Sequence, residues 1–233
     1  MFGWPGTREE LEALQRHLAT LEPDPWLAPS GREPVVGAVF AAFSTRADPS
    51  PSERAWVAAA VGAERSTIVA PVEGPYEPGY LALREGAALE RAVRQLARQP
   101  DVLLVDATGR DHPRGAGLAL HLGAVLGTPT VGVTDRPLVA RIDAEGRLVL
   151  DGREVGKAVA TRRGARPVCV HAAWRTDVEV AVTVVRWATG RARTPEPLRR
   201  ARFLARSWRA RDEGRLPPGW RMDESSAAWF PAR

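Results

Sequence analysis

The chain has 233 residues, 44% hydrophobic and 26% charged, enough to bury the core of one α/β domain. Its 33 basic and 28 acidic residues leave a formal charge of +5, carried almost wholly by arginine because Lys157 is the only lysine, a balance compatible with a polyanionic partner and equally with a plain bias toward arginine. The single cysteine, Cys169, excludes an intrachain disulfide and a multi-cysteine zinc site, and no apolar run is long enough to cross a membrane.

The start, Met1-Phe2-Gly3-Trp4-Pro5, runs at once into charged residues and does not read as a signal peptide. A cytoplasmic monomer is the expectation. Residues 7–20 predict a helix, opened by the capping-box pair Thr7 and Glu10, with Leu11, Leu14, Leu18 and Leu21 on one stripe. Residues 22–34 form a proline-rich linker. The uncharged run 35–43 predicts a strand buried on both faces. A turn at 46–52 and the apolar runs 55–61 and 66–72 complete an antiparallel meander. A loop at 73–79 leads to one helix over 80–98, with Leu81, Leu89, Val93 and Leu96 on one face.

A buried strand follows at 102–105, then a polar loop at 106–115. A helix at 116–126 is ended by Gly127 and Pro129, and a strand lies at 130–133. A hairpin is expected over 141–150, a short strand at 168–171, and helices at 177–189 and 196–208. Residues 209–233 read as a tail, partly disordered or draped over a single domain spanning 1–208. The order predicts a mixed sheet with helices on its faces.

Two acids stand out by position. Glu85 lies four residues from both Leu81 and Leu89, so it projects from the apolar stripe of its helix. Burying it requires a partner or a metal; a helix-edge glutamate turned to solvent fits the pattern as well. Asp106 follows the 102–105 strand at its carboxyl end, where open α/β sheets bind ligands and where turn-forming aspartates are also common. Together they suggest a site for a divalent cation with hard oxygen ligands.

Four collinear blocks then carry a specific resemblance. Pro75-Tyr76-Glu77-Pro78-Gly79-Tyr80-Leu81-Ala82-Leu83-Arg84-Glu85 and Pro100-Asp101-Val102-Leu103-Leu104-Val105-Asp106-Ala107-Thr108-Gly109-Arg110-Asp111-His112-Pro113-Arg114 resemble segments of the endonuclease V family. Gly127-Thr128-Pro129-Thr130-Val131-Gly132-Val133 and Pro195-Glu196-Pro197, with Arg199 or Arg200, are similar to two more. The resemblance implies a ribonuclease H-like fold and hydrolysis, dependent on Mg2+ or Mn2+, of a phosphodiester near deaminated adenine (inosine) in DNA or RNA. It implies Glu85 and Asp106 as catalytic metal ligands. Tyr76 would be the wedge stacking where a base is everted, with Pro75 and Pro78 stiffening its loop. Gly109, His112 and Arg114 would belong to the nucleic-acid pocket.

The chain departs from the family pattern at several places. Phe40 stands where the family's first metal-binding Asp is expected, and no acid lies between Val35 and Thr45. Asp135 replaces a lysine, Trp174 a histidine and Ala107 a glycine, while Glu179 stands near the family's later acid. Losing a metal ligand and a cation predicts cleavage weakened by several orders of magnitude, since one such contact is worth roughly 10²–10³-fold. Three functions follow: a nucleic-acid binder with cleavage lost or reduced; an active repair nuclease with a rearranged site using Glu85, Asp106 and either Asp135 or Asp111; and a non-catalytic protein-interaction scaffold. The arginines from Arg191 to Arg215, interleaved with Phe203 and Trp208, suit phosphate contact and stacking, or a solvated helix face.

Overall fold

The computed structural model describes residues 2–44, 53–72, 76–216, 220–223 and 228–231. The expected turn at 46–52 and the expected role of Pro75 fall outside them. Helix α1 (Arg8–Thr20) opens with the anticipated capping box: Thr7 accepts from the Glu10 amide, and the Glu10 carboxylate accepts from the Thr7 amide. The linker that follows is held by Arg32, which forks onto Asp101 at 2.6 and 2.7 Å, and by the Trp26 amide, which donates to the Arg175 carbonyl.

Strands β1 (Val36–Phe43), β2 (Arg54–Val61) and β3 (Glu64–Pro71) form the expected antiparallel meander. β4 (Val102–Val105) and β5 (Thr130–Thr134) then extend the sheet in parallel beside β1. β6 (Arg141–Ile142), β7 (Arg147–Leu150), β8 (Arg153–Val159) and β9 (Val168–Ala172) complete it in the order β3-β2-β1-β4-β5-β9-β8-β7-β6. The sequence reading has no counterpart for β8. Arg153, Glu154 and Lys157 conceal its period, and only Val155, Gly156 and Val159 turn inward. Gly156 lies so close to the Val170 carbonyl of β9 that any Cβ would collide with it.

The expected helix over 80–98 is divided. Ala82–Gly86 form a π-helical turn, and α2 runs Ala87–Arg94. A residue remote in sequence is seated on this turn. Trp4 packs directly on Gly86, filling the space a Cβ would need, and its indole N–H donates to Glu90 at 2.7 Å. Helix α3 (Leu118–Leu126) ends on left-handed Gly127, as the sequence indicates. Helix α4 (Val178–Trp187) is capped by Asp177. Helix α5 (Glu196–Asp212) runs four residues beyond the expected end, where Asp212 accepts from the Trp56 indole. Trp220–Asp223 and Ala228–Pro231 pair as a separate two-stranded ribbon, β10 and β11.

The sheet separates two apolar layers. Val39, Leu103 and Val105 face α1, α2 and α3; Ala38, Ala42, Val102 and Leu104 face α4 and α5. Alternation along the strands therefore decides which helix each site residue meets.

Candidate nucleic-acid and metal site

Parallel pairing sets Val39 beside Val105. The next step along each strand brings Phe40 and Asp106 side by side, on the face that carries Leu104 and Ala38 and looks toward α5. There the Asp106 carboxylate is gripped by Arg202: Nη2 donates to Oδ1 at 2.7 Å and Nε donates to Oδ2 at 3.0 Å. Nη1 of the same side chain reaches Thr194 Oγ1 at 3.3 Å. The Arg202 guanidinium stands 5.9 Å from the Phe40 ring centroid, and that of Arg206 stands 5.2 Å from it. A two-pronged guanidinium–carboxylate contact is the strong, directional kind of ion pair. Both Asp106 oxygens are thus engaged by the protein's own cation, and their neighbour on β1 is a hydrocarbon ring.

Glu85 comes to the same end of the sheet from the π-helical turn. It is buried, 8% exposed. Burial pushes its carboxyl up to about 8, the Asp106 charge adds to the rise, and Arg84 opposes it. Glu85 therefore holds a proton at neutral pH, and Asp106 is within its electrostatic reach. Arg84 itself pairs with Glu53 at 2.5 Å and lies 4.4 Å over the Phe43 ring. Among the described residues no three of His, Cys, Asp and Glu converge as a metal-binding group.

The other side chains weighed in the sequence are separately engaged. Asp135 is 60% exposed at its side chain and pairs with Arg193, which holds its carboxyl below the ordinary range. Arg193 also donates to the carbonyls of Arg166 and Pro167. Trp174 packs into the layer shared with α3, edge-on to Phe2 with centroids 5.8 Å apart. Glu179 is exposed in the first turn of α4. Asp111 is fully buried and serves the backbone, accepting from the amides of Leu138, Val139 and Ala140 at 2.7, 3.0 and 2.8 Å.

The Tyr76 loop is organised around one carbonyl. Gly79, at φ +87°, turns its oxygen toward three side-chain donors, two from one loop and one from α1: Arg114 Nη2 at 2.7 Å, His112 Nε2 at 3.2 Å and Gln15 Nε2 at 3.3 Å. His112 Nδ1 accepts from the Arg114 amide, which assigns the ring proton to Nε2. Burial, with the Arg114 charge, lowers His112 to about 4, so the ring is neutral. Arg114 also donates to Gln15 Oε1 at 2.6 Å, and its guanidinium covers the Tyr80 ring at 4.5 Å. His112 and Arg114 thus brace the loop from behind. Gly109 lies against β9, where a Cβ would meet the Ala172 carbonyl. Tyr76 is left 66% exposed at the mouth of a cavity of about 260 Å³, lined also by Pro78, Asp106, His112, Leu118 and Leu138.

The structure therefore brings Tyr76, Pro78, His112 and Asp106 together around one cavity, with Glu85 within electrostatic reach of Asp106. Gln15 and Arg202 belong to this site; Gln15 went unassigned in the sequence, and Arg202 figured there only within the arginine series read as suiting phosphate contact. Arg202 had one signal, the recurrence of Arg199, Arg202, Arg206 and Arg209 on a single helix face.

Known proteins share this chain's sequence pattern and fold. Residues 34–203 match the family model described as Endonuclease V. An endonuclease V from Geotalea uraniireducens is 37% identical over 210 residues, covering 86% of this chain and 90% of the relative. The crystal structure of endonuclease V from Streptomyces avermitilis superposes with a TM-score of 0.76 at 33% identity, covering 92% of this chain and 97% of that one. Endonuclease V from Ciona intestinalis, solved in complex with a 23mer DNA containing an inosine followed by a ribo-adenosine, has the same fold, with TM-score 0.73 and 21% identity over 88% of this chain and 99% of that one. The mixed sheet is ribonuclease H-like, and this chain belongs to the endonuclease V family.

Proposed function

We propose that this protein binds an inosine-bearing nucleic-acid strand at the Tyr76–Asp106 cavity and cleaves it poorly or not at all. The observation that carries this reading is the Arg202 fork on Asp106 beside Phe40. A magnesium ion takes about six oxygen ligands in near-octahedral geometry. Here Asp106 has both oxygens committed, Phe40 offers none, and Glu85 is set in an apolar turn. The donor set does not fit the ion as it stands. A guanidinium can neutralise Asp106 and meet a phosphate, but it cannot lower the pKa of a bound water.

The recognition side keeps what binding requires. Tyr76 is exposed, its loop is braced by Gly79, His112 and Arg114, and the cavity has the polar and apolar lining that an extruded base needs. Binding of inosine-containing DNA by the Ciona relative supports the same choice of ligand. The second reading, an active nuclease with a rearranged site, draws on one observation: Glu85 and Asp106 remain within electrostatic reach. It requires Arg202 to leave Asp106 when metal and substrate arrive.

The test is a gel assay of inosine-containing DNA and RNA strands with magnesium or manganese, beside a binding assay in EDTA. Binding that survives EDTA, with no more than trace cleavage, is expected. Robust cleavage abolished by Asp106→Ala would establish the second reading. Under the first, Phe40→Asp combined with Arg202→Ala reopens the site and raises metal-dependent cleavage.

A further inference from the structure

The face of α5 that supplies Arg202 also walls a second cavity, of about 580 Å³. Its lining includes Arg199, Arg202, Phe203, Arg206, Arg209 and Arg215, and no aspartate or glutamate lines it among the described residues. The acids that meet three of these arginines stand outside its wall: Glu196 pairs with Arg199, Asp106 with Arg202 and Glu213 with Arg215. Neither Arg206 nor Arg209 forms an ion pair among the described residues. Arg206 lies over the Phe40 ring, and Arg209 donates to the Phe43 carbonyl at 2.9 Å. Burial lowers the Arg209 pKa, the Arg215 and Arg206 charges lower it further, and the Glu213 charge opposes them. Like charges have been gathered into a concave wall whose lining holds no carboxylate among the described residues, an arrangement that favours a bound polyanion.

The two cavities meet at one ion pair, since Asp106 lines the first and Arg202 the second. We infer that the α5 cavity is a phosphate-backbone channel for the single strand whose base is held at Tyr76. This rests on the proposed function and extends it to a second contact surface. Four arginines recur at intervals of three, four and three residues from Arg199 to Arg209. That is about 15 Å of helix, the rise of about four nucleotides at ~3.4 Å each. Guanidinium forks suit phosphate oxygens, and they act without a divalent cation. The channel therefore holds the strand through arginine alone.

The test measures affinity for a labelled inosine-containing single strand by fluorescence anisotropy, in EDTA, across a potassium chloride series. Each lost phosphate contact shallows the slope of log K against log salt by about 0.7 for a single strand. Arg206→Ala and Arg209→Ala should each shallow it by about that amount, and the double variant by about the sum. Arg206→Lys should keep the wild-type slope. Arg94→Ala, on α2 across the sheet, should leave it unchanged. A circular-dichroism melt checks that each variant is folded, and Arg206→Ala removes no hydrogen bond among the described residues. If wild type binds and neither alanine variant alters the slope, the channel is overturned while the Tyr76 reading stands. If wild type binds neither inosine DNA nor inosine RNA, the proposed function fails and the channel with it.

Discussion

The Gly79 loop and the Asp106 end of the sheet share one cavity but solve opposite electrostatic problems. At Gly79 a neutral carbonyl collects three donors, and the histidine among them is kept uncharged by burial. That geometry needs no ion and holds whether or not one is present. At Asp106 a full negative charge sits at a strand end, and its balance comes from a guanidinium on α5, 96 residues away. The first region is rigid by over-determination; the second depends on a single exchangeable partner. A loop braced in this way can therefore keep its geometry whatever balances the charge next to it.

The comparison breaks most visibly at Arg114. Arg114→Ala removes bonds to Gly79, Gln15 and Tyr80 and a cation–π contact. At about 1 kcal/mol per hydrogen bond and about 0.5–1 for the ring contact, it should cost about 3.5–4 kcal/mol in urea unfolding. A loss below one-third of that would show that the loop is not so braced.

Arg202→Ala should cost less, about 2 kcal/mol, because the pair lies between the surface and buried cases. Its more telling effect is on metal. Magnesium chloride should raise the melting temperature of the variant and leave that of wild type unmoved. Equal responses would mean that the guanidinium does not compete with the ion.

A titration sharpens the contrast further. His112 is lowered to about 4 in the fold. The unfolded chain, with an ordinary value of about 6.5, binds the proton first as pH falls. Its contribution is complete above about 6.5 and is lost as pH drops toward 4, at no more than about 1.4 kcal/mol per pH unit. Glu85 acts with the opposite sign: its raised value makes stability fall as pH rises from about 4.5 toward 8. The difference between wild type and His112→Gln isolates the histidine, and a parallel pair of stability-versus-pH curves would remove it from the account.

The smallest stability change belongs to Tyr76→Ala, within about 0.5 kcal/mol for an exposed side chain. Strand affinity should fall by about 1–3 kcal/mol if the ring stacks on a base. Unaltered affinity would assign the ring to the surface only.

What the sequence made legible was local. The α1 capping box, the doubly buried β1 run and the Gly127 stop are each written within a few residues. Asp106 was marked by its place after four apolar positions, and Phe40 by motif spacing; strand pairing then puts the two next to each other. What stayed hidden was set by distant partners. The π-helical turn is contacted by Trp4, more than eighty residues upstream of Gly86, a partner that no local pattern names. β8 was obscured by Arg153, Glu154 and Lys157 along its length. The Arg202–Asp106 pair is a fact of topology, because only the sheet's alternation decides that α5 and the end of β4 look at one another.

The seating of Trp4 on Gly86 has a practical corollary. The indole is wedged against the turn that carries Glu85, its N–H is anchored on Glu90, and its ring lies 4.4 Å from that of His121. A purification handle fused ahead of residue 1 would pull on that wedge and loosen the acid's housing from outside. Recombinant protein meant for metal or cleavage measurements is better compared with and without such a fusion, lest the handle's effect be mistaken for the protein's own.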